Sequence, residues 1–421
     1  MLLNRGRLSL NRDAGLQTQC CIAGGGPAGM MLGFLLARAG VKIIVLEKHK
    51  DFLRDFRGDT IHPSTLEIVH ELGLLDDFLK CPHQKVRELS AEVGRQTLKI
   101  GDFSHLPTHC KFLALMPQWD FLNFLVSHGK LYPGFKIQME AEATDLIEEQ
   151  GRIVGVKAKT ADGEMEIRAP LIVGADGRQS RVRESAGLQA IDLGAPMDVF
   201  WMRISRHPSD SAETLGHVEA GKIFIMINRE EYWQCALVIP KGAADEFRKR
   251  GIEKFREDVA SLEPFLGDRV AGLRDWNDVS LLTVKVDRLR NWSRPGLLCI
   301  GDAAHAMSPI GGVGINLAIQ DAVAAANLLA SKLAGGALSD ADLRAVQRRR
   351  EFPTRATQAL QLFIQNHVIR NVLSATEPLR VPWPLKLMQT WPSLRRIPAR
   401  LVGLGFRPEH VRIPASSRQH N

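Results

Sequence analysis

The glycine-rich segment at residues 24–29, GGGPAG, constrains the fold of this chain more than any other feature. An apolar run at residues 19–23 precedes it, and an apolar run with helical character follows at residues 30–38. A second apolar run at residues 41–46 then ends in Glu47. A strand, a Gly-x-Gly-x-x-Gly turn, a helix and a strand in this order predict a β-α-β unit within a mostly parallel α/β sheet.

In such a unit the glycines allow a tight turn, a close approach of the backbone to a pyrophosphate, and close packing of the helix on the strand. The helix N-terminus attracts the phosphate charge, and an acid at the end of the second strand accepts hydrogen bonds from a ribose. Glu47, 18 residues after Gly29, has the position of that acid. The chain has one such pattern, so we expect one bound dinucleotide. The predicted binding residues of this unit are Gly24, Gly26, Ala28, Gly29, Glu47 and Lys48.

A second long motif occupies residues 297–321, LLCIGDAAHAMSPIGGVGINLAIQD. Together with the first motif it resembles the single-component FAD-dependent aromatic hydroxylases, the family of para-hydroxybenzoate hydroxylase and the ubiquinone-biosynthesis hydroxylases. The resemblance extends to about residue 375. It implies that a carboxylate binds the ribityl chain of FAD, and that a stretch of bare backbone passes beside the flavin ring ahead of a helix starting near residue 314. Val313 stands where many relatives carry a polar residue, which removes a side-chain contact. The residues implied to bind the flavin half are Asp302, Pro309, Gly312, Gly314, Ile315 and Asn316.

Three further cofactor residues are implied by the resemblance alone. Asp176, in the run VGADGRQSRVR at residues 173–183, matches the family's Asp-Gly motif and acts on the flavin and nicotinamide phosphates indirectly. Arg57 has the position of an arginine that contacts the FAD pyrophosphate, and Gln118 that of a residue on the flavin side of the cofactor. Without the resemblance, a plain turn explains the first residue and solvated loop side chains explain the other two.

The resemblance also implies a reaction. NADH or NADPH, bound transiently, would reduce FAD; O₂ would be captured as a flavin C4a-hydroperoxide; and one oxygen atom would pass to an aromatic, polyketide-like or quinone-like substrate. Because the cofactor supplies this chemistry, the sequence assigns no catalytic residue. His305 is expected to be structural, bonding backbone at the turn before the helix. The runs at residues 200–202, 224–227 and 232–233 are candidates to roof the substrate, although strand alternation turns half of these side chains away.

Other functions on the same fold stay open from the sequence. A flavin-dependent halogenase shares the cradle, but Cys235 and Leu237 replace the tryptophans of its W-x-W-x-I-P signature. A reductase of the geranylgeranyl reductase kind would use the flavin without oxygen insertion. A partner-binding protein like the prenyl-GTPase dissociation inhibitors would need no flavin, and the retained second motif counts against it.

The expected architecture is α/β: a Rossmann-like FAD-binding domain with an inserted antiparallel β-sheet substrate domain and a helical C-terminal extension. Two alternating runs around a polar turn, at residues 222–227 and 232–239, predict a β-hairpin in the insert. The predicted division is a flexible leader at residues 1–18, an FAD-binding domain at 19–89, 105–194 and 284–375, a substrate domain at 90–104 and 195–283, and an extension at 376–421.

Charge and cysteine usage constrain the partners. The net charge of +8 over 421 residues is mild and forms no basic stripe with stacking aromatics, so we expect no nucleic acid. Six cysteines without a C-x-x-C pair indicate neither a metal site nor a disulfide framework, and favour the cytoplasm. Residues 378–421 carry eight basic residues, two tryptophans and one acid, Glu409, so this tail can contact an anionic membrane surface or fold back on its own core. The basic leader faintly resembles a transit peptide, and the oligomeric state is left open.

Overall fold

The structure, a computed structural model, describes residues 16–53, 60–94, 96–210 and 215–414. Within these residues the strands are β1 (Leu16–Gln17), β2 (Cys20–Ala23), β3 (Ile43–Glu47), β4 (Thr60–Ile61), β5 (Gln84–Val86), β6 (Glu88–Val93), β7 (Gln96–Asp102), β8 (Leu113–Leu115), β9 (Phe135–Met139), β10 (Ala141–Glu149), β11 (Arg152–Thr160), β12 (Gly163–Arg168), β13 (Leu171–Gly174), β14 (Ala190–Asp192), β15 (Met197–Ser205), β16 (Leu215–Glu219), β17 (Lys222–Asn228), β18 (Tyr232–Pro240), β19 (Val279–Leu282), β20 (Asp287–Leu289), β21 (Ser293–Arg294) and β22 (Leu297–Cys299).

The α-helices of the same residues are α1 (Pro27–Arg38), α2 (Pro63–Glu71), α3 (Leu75–Phe78), α4 (Gln118–Gly129), α5 (Arg181–Ser185), α6 (Ala244–Lys249), α7 (Ile252–Leu262), α8 (Gly314–Ala334), α9 (Asp340–Ile364), α10 (Arg370–Ser374), α11 (Trp383–Thr390) and α12 (Arg396–Gly403). Short helical turns at Gly301–Ala303 and Ile310–Gly312 precede α8, and a π-helical turn at Gln365–Ile369 joins α9 to α10.

A six-stranded sheet forms the centre of the molecule, in the order β21-β22-β13-β2-β3-β9. All neighbouring strands run parallel except the short β21, which is antiparallel to β22. One face packs against α1, α4 and α8, and the other packs against the four-stranded sheet β1-β12-β11-β10 and α5. Because both faces are covered, the sequences of β2 and β13 are continuously apolar rather than alternating.

A seven-stranded sheet, β19-β15-β18-β17-β16-β6-β7, forms the second layer system. Its neighbours are antiparallel except β16 and β6, which pair in parallel. One face packs on α7 through a core that includes Phe200 and Phe224. The opposite face contacts α10 and Ile310, which belongs to the loop before α8. The predicted hairpin is confirmed as β17 and β18, and the inserted antiparallel sheet is confirmed with it.

The C-terminal residues up to 414 fold back onto the core. Ala399 of α12 is fully buried with Phe103 and Leu106, next to strand β7. The carbonyl of Val402 contacts the ring of His62 at 2.6 Å from Nδ1, near the first turn of α2. One helical stretch of the described residues, Ile310–Ala334, is long and apolar enough to cross a membrane, but most of it is buried inside the protein, as in a core helix.

Some predicted boundaries shift. The helix after the glycine-rich turn begins at Pro27, which favours the first helical position, and the following strand begins at Ile43. The leader predicted for residues 1–18 falls mostly outside the described residues, but Leu16 and Gln17 pair with β12 and are therefore part of the fold. The sheet predicted to take up residues 90–104 already includes Glu88. The division into domains stays a prediction.

Candidate cofactor and oxygenation site

The first glycine-rich turn lies at the carboxyl end of the central sheet. Gly24 has φ +107°, and a Cβ there would lie 2.3 Å from the carbonyl oxygen of Ala175. A Cβ on Gly29 would lie 2.0 Å from the carbonyl oxygen of Gly24. A Cβ on Gly26, by contrast, would meet no atom within 4 Å. The outer two glycines are therefore required by the protein's own packing, whereas Gly26 faces open space at the N-terminus of α1.

Glu47 ends β3 beside this turn. Its Oε2 accepts a hydrogen bond from the Gly25 N–H at 3.0 Å, and its Oε1 accepts one from the His49 N–H at 3.0 Å. These contacts orient the carboxylate at the mouth of the turn. Lys48 is exposed directly after it. Ala28 is buried in the first turn of α1, where the backbone N–H groups have no helical carbonyl to bond.

The second motif meets the first at Gly301. This residue has φ +59°, and a Cβ there would lie 3.0 Å from the Cβ of Ala28 and 3.2 Å from that of Ala318. The turn is therefore wedged between the N-terminus of α1 and the first turns of α8. Asp302 follows it, partly exposed, with its carboxylate 3.4 Å from the guanidinium of Arg178. Residues almost 300 positions apart are thus brought to one edge of the sheet.

Asp176 acts inside the protein. Its Oδ1 accepts from the Ser180 hydroxyl at 2.5 Å and its Oδ2 accepts from the Val182 N–H at 3.1 Å, which caps the start of α5. Burial raises the pKa of Asp176, and the hydrogen bonds only partly offset this rise. The neighbouring Ala175 is the residue that Gly24 approaches. Asp176 therefore fixes the start of α5 next to the backbone that Gly24 approaches; its indirect role toward the cofactor stays a prediction.

The loop at residues 309–316 is tied to β4 by the side chain of Asn316. Its Oδ1 accepts from the His62 N–H at 2.8 Å and from the Thr65 hydroxyl at 2.7 Å, and its Nδ2 donates to the Thr60 carbonyl at 3.0 Å. Gly312 has φ +62°, and a Cβ there would lie 2.8 Å from the Thr60 hydroxyl oxygen. Asn316 is therefore used to fix the loop, a role that the sequence did not indicate.

The other residues of this loop present backbone. Pro309 precedes the short turn Ile310–Gly312, and Ile315 is buried in the core. α8 begins at Gly314 without a side-chain cap, so the first-turn N–H groups of Gly314, Ile315 and Asn316 lack helical partners. These groups and the helix dipole can stabilise negative charge on a planar ring placed against the loop.

Three buried glutamines of α9 and its continuation bond the segment that leads into this loop. Nothing in the sequence indicated this role. Gln358 donates to the carbonyls of Asp287 and Ala306, at 2.8 and 3.2 Å. Gln361 donates to the carbonyls of Ser308 and Ile310, at 3.0 and 2.9 Å, and accepts from the Ser308 N–H. Gln365 donates to the Ser308 hydroxyl at 2.7 Å. Their spacing along the helix was visible, but their partners lie about 50 residues away.

His305 is structural, but its ring does not bond backbone as expected. Its Nε2 lies 2.5 Å from Oδ2 of Asp321, a carboxylate on α8 that also accepts from the Gly301 N–H at 3.1 Å. The prediction was wrong about the partner because Asp321 stands 16 residues away and reaches the turn only once α8 has packed.

The last two residues that the resemblance implies for the cofactor are Gln118 and Arg57. Gln118 is the first residue of α4 and is half-buried. It follows β8, which pairs with β4 and so lies beside the loop at residues 309–316. Arg57 lies outside the described residues.

The two faces of the seven-stranded sheet separate the candidate roof residues. Phe200, Phe224 and Trp233 point to the face packed on α7. Trp201 lies on the other face with aliphatic side chains and Ile310. Of these aromatic side chains, Trp201 is the one on the face toward the loop.

These observations fit FAD. The glycine-rich turn leaves open space at Gly26 beside unpaired N–H groups, which suits a pyrophosphate. Glu47 and Asp302 place carboxylates on either side, which suit ribose and ribityl hydroxyls. The loop before α8 offers backbone and a helix N-terminus, which suit the flavin ring. The fold and site therefore define a flavin-dependent oxidoreductase.

Comparison with known proteins agrees. The sequence profile of the FAD binding domain family matches residues 17–360. The 6-methylpretetramide 4-monooxygenase of Streptomyces rimosus is 31% identical over 391 residues, which cover 92% of this chain and 93% of that protein. The chain therefore belongs to the single-component FAD-dependent aromatic hydroxylases, and it is an FAD-dependent monooxygenase that uses NAD(P)H and hydroxylates an aromatic substrate.

Solved structures share the fold at lower identity. A probable FAD-dependent monooxygenase of Pseudomonas aeruginosa superposes with a TM-score of 0.72 at 20% identity, covering 85% of this chain and 98% of that one. The anhydrotetracycline hydroxylase OxyS of Streptomyces rimosus superposes with a TM-score of 0.71 at 20% identity, covering 92% of this chain and 76% of that one. The predicted family, fold class and enzyme class are confirmed.

Proposed function

We propose that the substrate is a fused-ring aromatic compound of polyketide type rather than a single-ring phenolic acid. The observation that carries this proposal is the half-buried indole of Trp201, which lies on the sheet face toward Ile310. The aliphatic residues of that face are themselves buried in the core; they are Met197, Val199, Ile223, Ala236 and Val238. A flat indole beside the loop favours stacking against an extended aromatic ring system. The substrate class in the name of the Streptomyces rimosus relative is consistent with it.

We propose the following roles for the cofactor residues, which the resemblance to the family implies; for Arg57, outside the described residues, the resemblance is the sole support. Gly24, Gly26, Ala28 and Gly29 receive the pyrophosphate with Arg57, and Glu47 with Lys48 binds the adenosine ribose. Asp302 binds the ribityl chain, and Asp176 acts through the turn that it fixes. Gln118, Pro309, Gly312, Gly314, Ile315 and Asn316 surround the flavin ring.

The chain's own contribution is placement. When bound, FAD accepts a hydride from NADH or NADPH and activates O₂, so that one oxygen atom is inserted into the substrate. The loop at residues 309–316 would hold the flavin at the N-terminus of α8, whose first-turn N–H groups would stabilise developing negative charge. The apolar sheet face excludes water from the reacting atoms and orients the aromatic ring.

The visible spectrum of the purified protein and its NAD(P)H oxidation test this proposal. We expect oxidised-flavin bands, and substrate-stimulated oxidation that yields hydroxylated product with fused aromatics more efficiently than with single-ring phenols. Trp201→Leu should raise KM for the fused aromatic, because it reshapes the face toward the loop. Phe200→Leu, the neighbouring substitution on the opposite face, should lower thermal stability and leave that KM unchanged. Preference for single-ring phenols, or equal effects of the two variants, would contradict the proposed substrate class.

A peripheral membrane contact is a second, separate proposal about location, within a cytoplasmic enzyme. It is favoured by Trp383 and Trp391, which are 74% and 58% exposed in the basic C-terminal extension. Exposed tryptophans with neighbouring cations suit an anionic interface. Co-sedimentation with vesicles containing phosphatidylserine should fall when both tryptophans are replaced by serine. Equal sedimentation of the variant, or none of the wild type, would remove the proposal.

A further inference from the structure

A chain of buried charges joins the turn at Gly301 to the C-terminal extension. It begins at Asp321, which has no exposed surface. One oxygen of Asp321 accepts from the Gly301 N–H and contacts His305, and the other accepts from Nε of Arg350 at 2.9 Å. Arg350 belongs to α9 and is 1% exposed. The carboxylate of Asp321 therefore connects the turn to the middle of α9.

Arg350 continues the chain outward. Its Nη1 donates to the Arg407 carbonyl at 3.1 Å and to Oε1 of Glu409 at 3.3 Å. Glu409 is 5% exposed and also accepts two hydrogen bonds from Arg349, at 2.7 and 3.0 Å. Glu409 is the one acidic residue among residues 378–421, and its carboxylate bonds within this cluster.

The two carboxylates and the two guanidiniums depend on one another. Burial tends to raise the pKa of Asp321, but the charges and hydrogen bonds of His305 and Arg350 outweigh burial and lower it. Without Glu409, Arg350 would hold a buried charge with one carboxylate instead of two, and its Nη1 would keep the Arg407 carbonyl as its remaining partner of these two. A buried charge that loses one of its partners repositions or becomes solvated.

We propose that Glu409 is a positioning residue for the cofactor, which acts through Arg350 and Asp321 to hold the Gly301–Asp302 turn in the shape that binds FAD. The C-terminal extension is then part of the cofactor site rather than an appendage. The inference rests on the proposed role of Asp302 in FAD binding. Because linkage is reciprocal, bound FAD also stabilises the docked extension.

The matched control is Glu71 of α2, which holds the same segment by a different route. Its carboxylate contacts the His410 ring and accepts from the Val411 N–H at 2.7 Å. Among its contacts there is none with Arg350 or Asp321. Glu71→Gln therefore loosens the extension within two residues of Glu409 without touching the charge chain.

The experiment measures the dissociation constant of FAD from the full-length protein, by calorimetric titration of the apoprotein, for the wild type, Glu409→Gln and Glu71→Gln. We expect Glu409→Gln to weaken FAD binding by at least about tenfold, which corresponds to about 1.4 kcal/mol. Glu71→Gln should stay within about twofold of the wild type, although both variants lower the unfolding temperature of the apoprotein. Equal FAD affinities of the two variants would show a merely structural anchor and overturn the proposal.

Two further measurements distinguish failure of this inference from failure of the proposed function. Asp321→Asn and the Asp321→Asn/Glu409→Gln double variant should bind FAD equally weakly, because both residues act in one chain; additive losses would contradict the route through Asp321. FAD should slow limited proteolysis after residue 390 in the wild type and in Glu71→Gln but not in Glu409→Gln. If the wild type binds no FAD, the proposed function fails; if it binds FAD and Glu409→Gln binds it equally well, the inference alone fails.

Discussion

Two stretches of this protein are proposed to offer backbone to the same cofactor, but they are held in different ways. The glycine-rich turn at residues 24–29 is shaped by its own glycines and by the strand and helix beside it. The loop at residues 309–316 is held by a backbone carbonyl of β4 and by side chains of α2 and α9, which lie about 50 to 250 residues away. The first stretch is a local structure, and the second is a tertiary one.

This difference indicates which substitutions can damage each of the two stretches. In the glycine-rich turn, damage arises at the glycines themselves, because added atoms meet backbone. In the second loop, damage can arise at residues that never approach the cofactor, such as Gln361. The following predictions test this contrast.

The largest effect is expected at Gly29. Gly29→Ala places a Cβ 2.0 Å from the Gly24 carbonyl oxygen, so backbone must move. We expect the free energy of unfolding of the apoprotein to fall by about 3 kcal/mol, measured in urea.

Gly26→Ala is the control, and it adds its methyl group to open space. It should leave apoprotein stability unchanged while weakening FAD binding by at least about tenfold. Equal destabilisation by both would break the distinction between packing and ligand glycines.

The next effect is a pH dependence centred on His62, which links the second loop to the C-terminal extension. Burial lowers the pKa of His62 to about 4, and the hydrogen bond to the Val402 carbonyl only partly opposes this. In the unfolded chain the pKa is about 6.5. The unfolded state therefore binds more protons between these values. Neutral His62 contributes about 3 kcal/mol to the free energy of unfolding above about pH 6.5. This contribution declines as the pH falls and is lost below about pH 4.

His62→Asn should flatten this decline, as measured by chemical unfolding at pH 7.5 and pH 4.5 at constant ionic strength. His367→Asn replaces an exposed histidine of the π-helical turn and should leave the slope as in the wild type. An unchanged slope in His62→Asn would assign the acid sensitivity elsewhere.

A smaller effect is expected at Gln361. Gln361→Leu removes the donor to two carbonyls and the acceptor for the Ser308 N–H, at a cost of about 1–3 kcal/mol in unfolding free energy. If the loop carries the flavin ring, as we propose, the fraction of NAD(P)H oxidation that yields product should fall and hydrogen peroxide should rise.

Gln347→Leu is the matched control for Gln361→Leu. Gln347 is also on α9 and also bridges backbone, to the Trp292 N–H and the Arg290 carbonyl, but away from the loop. It should lose similar stability with unchanged coupling. A parallel rise of peroxide in both variants would mean that α9 acts on the whole domain rather than on the loop.

The smallest effect is expected at Arg178. Its ion pair with Asp302 is partly exposed at 3.4 Å, so Arg178→Met should change stability by less than about 1 kcal/mol and FAD affinity by less than about fivefold. Calorimetry of both quantities checks this. A larger loss of affinity would show that Asp302 is oriented by its ion pair instead of by the backbone turn at Gly301.

The sequence predicted most where partners are close along the chain. The β-α-β unit, the position of Glu47, the start of α8 and the hairpin of β17 and β18 all depend on local periodicity and turn chemistry, and the structure has each of them. The helix start at Pro27 is set locally by proline at the first helical position, whereas the strand start at Ile43 is set by pairing with Cys20 and Phe135.

What the sequence did not indicate depends on long-range packing. Gln361 looks like an ordinary polar residue of a helix until its partners are known, Asn316 was expected at the flavin rather than as a tie to His62 and Thr65, and His305 could not be assigned to Asp321. The sequence did not decide whether Phe200 or Trp201 faces the loop. Alternation along a strand predicts that neighbouring side chains point to opposite faces of the sheet, but not which face packs toward the loop.

By itself the sequence determined the class of fold, because glycine conformation and hydrophobic periodicity act over a few residues, and its resemblance to a family determined the cofactor. Only the tertiary structure decided how the second loop is held, which face of the seven-stranded sheet turns to it, and that Glu409 and Arg350 are buried together. Such charges and amides acquire partners only when distant elements pack, and a buried polar group without a partner costs free energy, which favours the packing that pairs them.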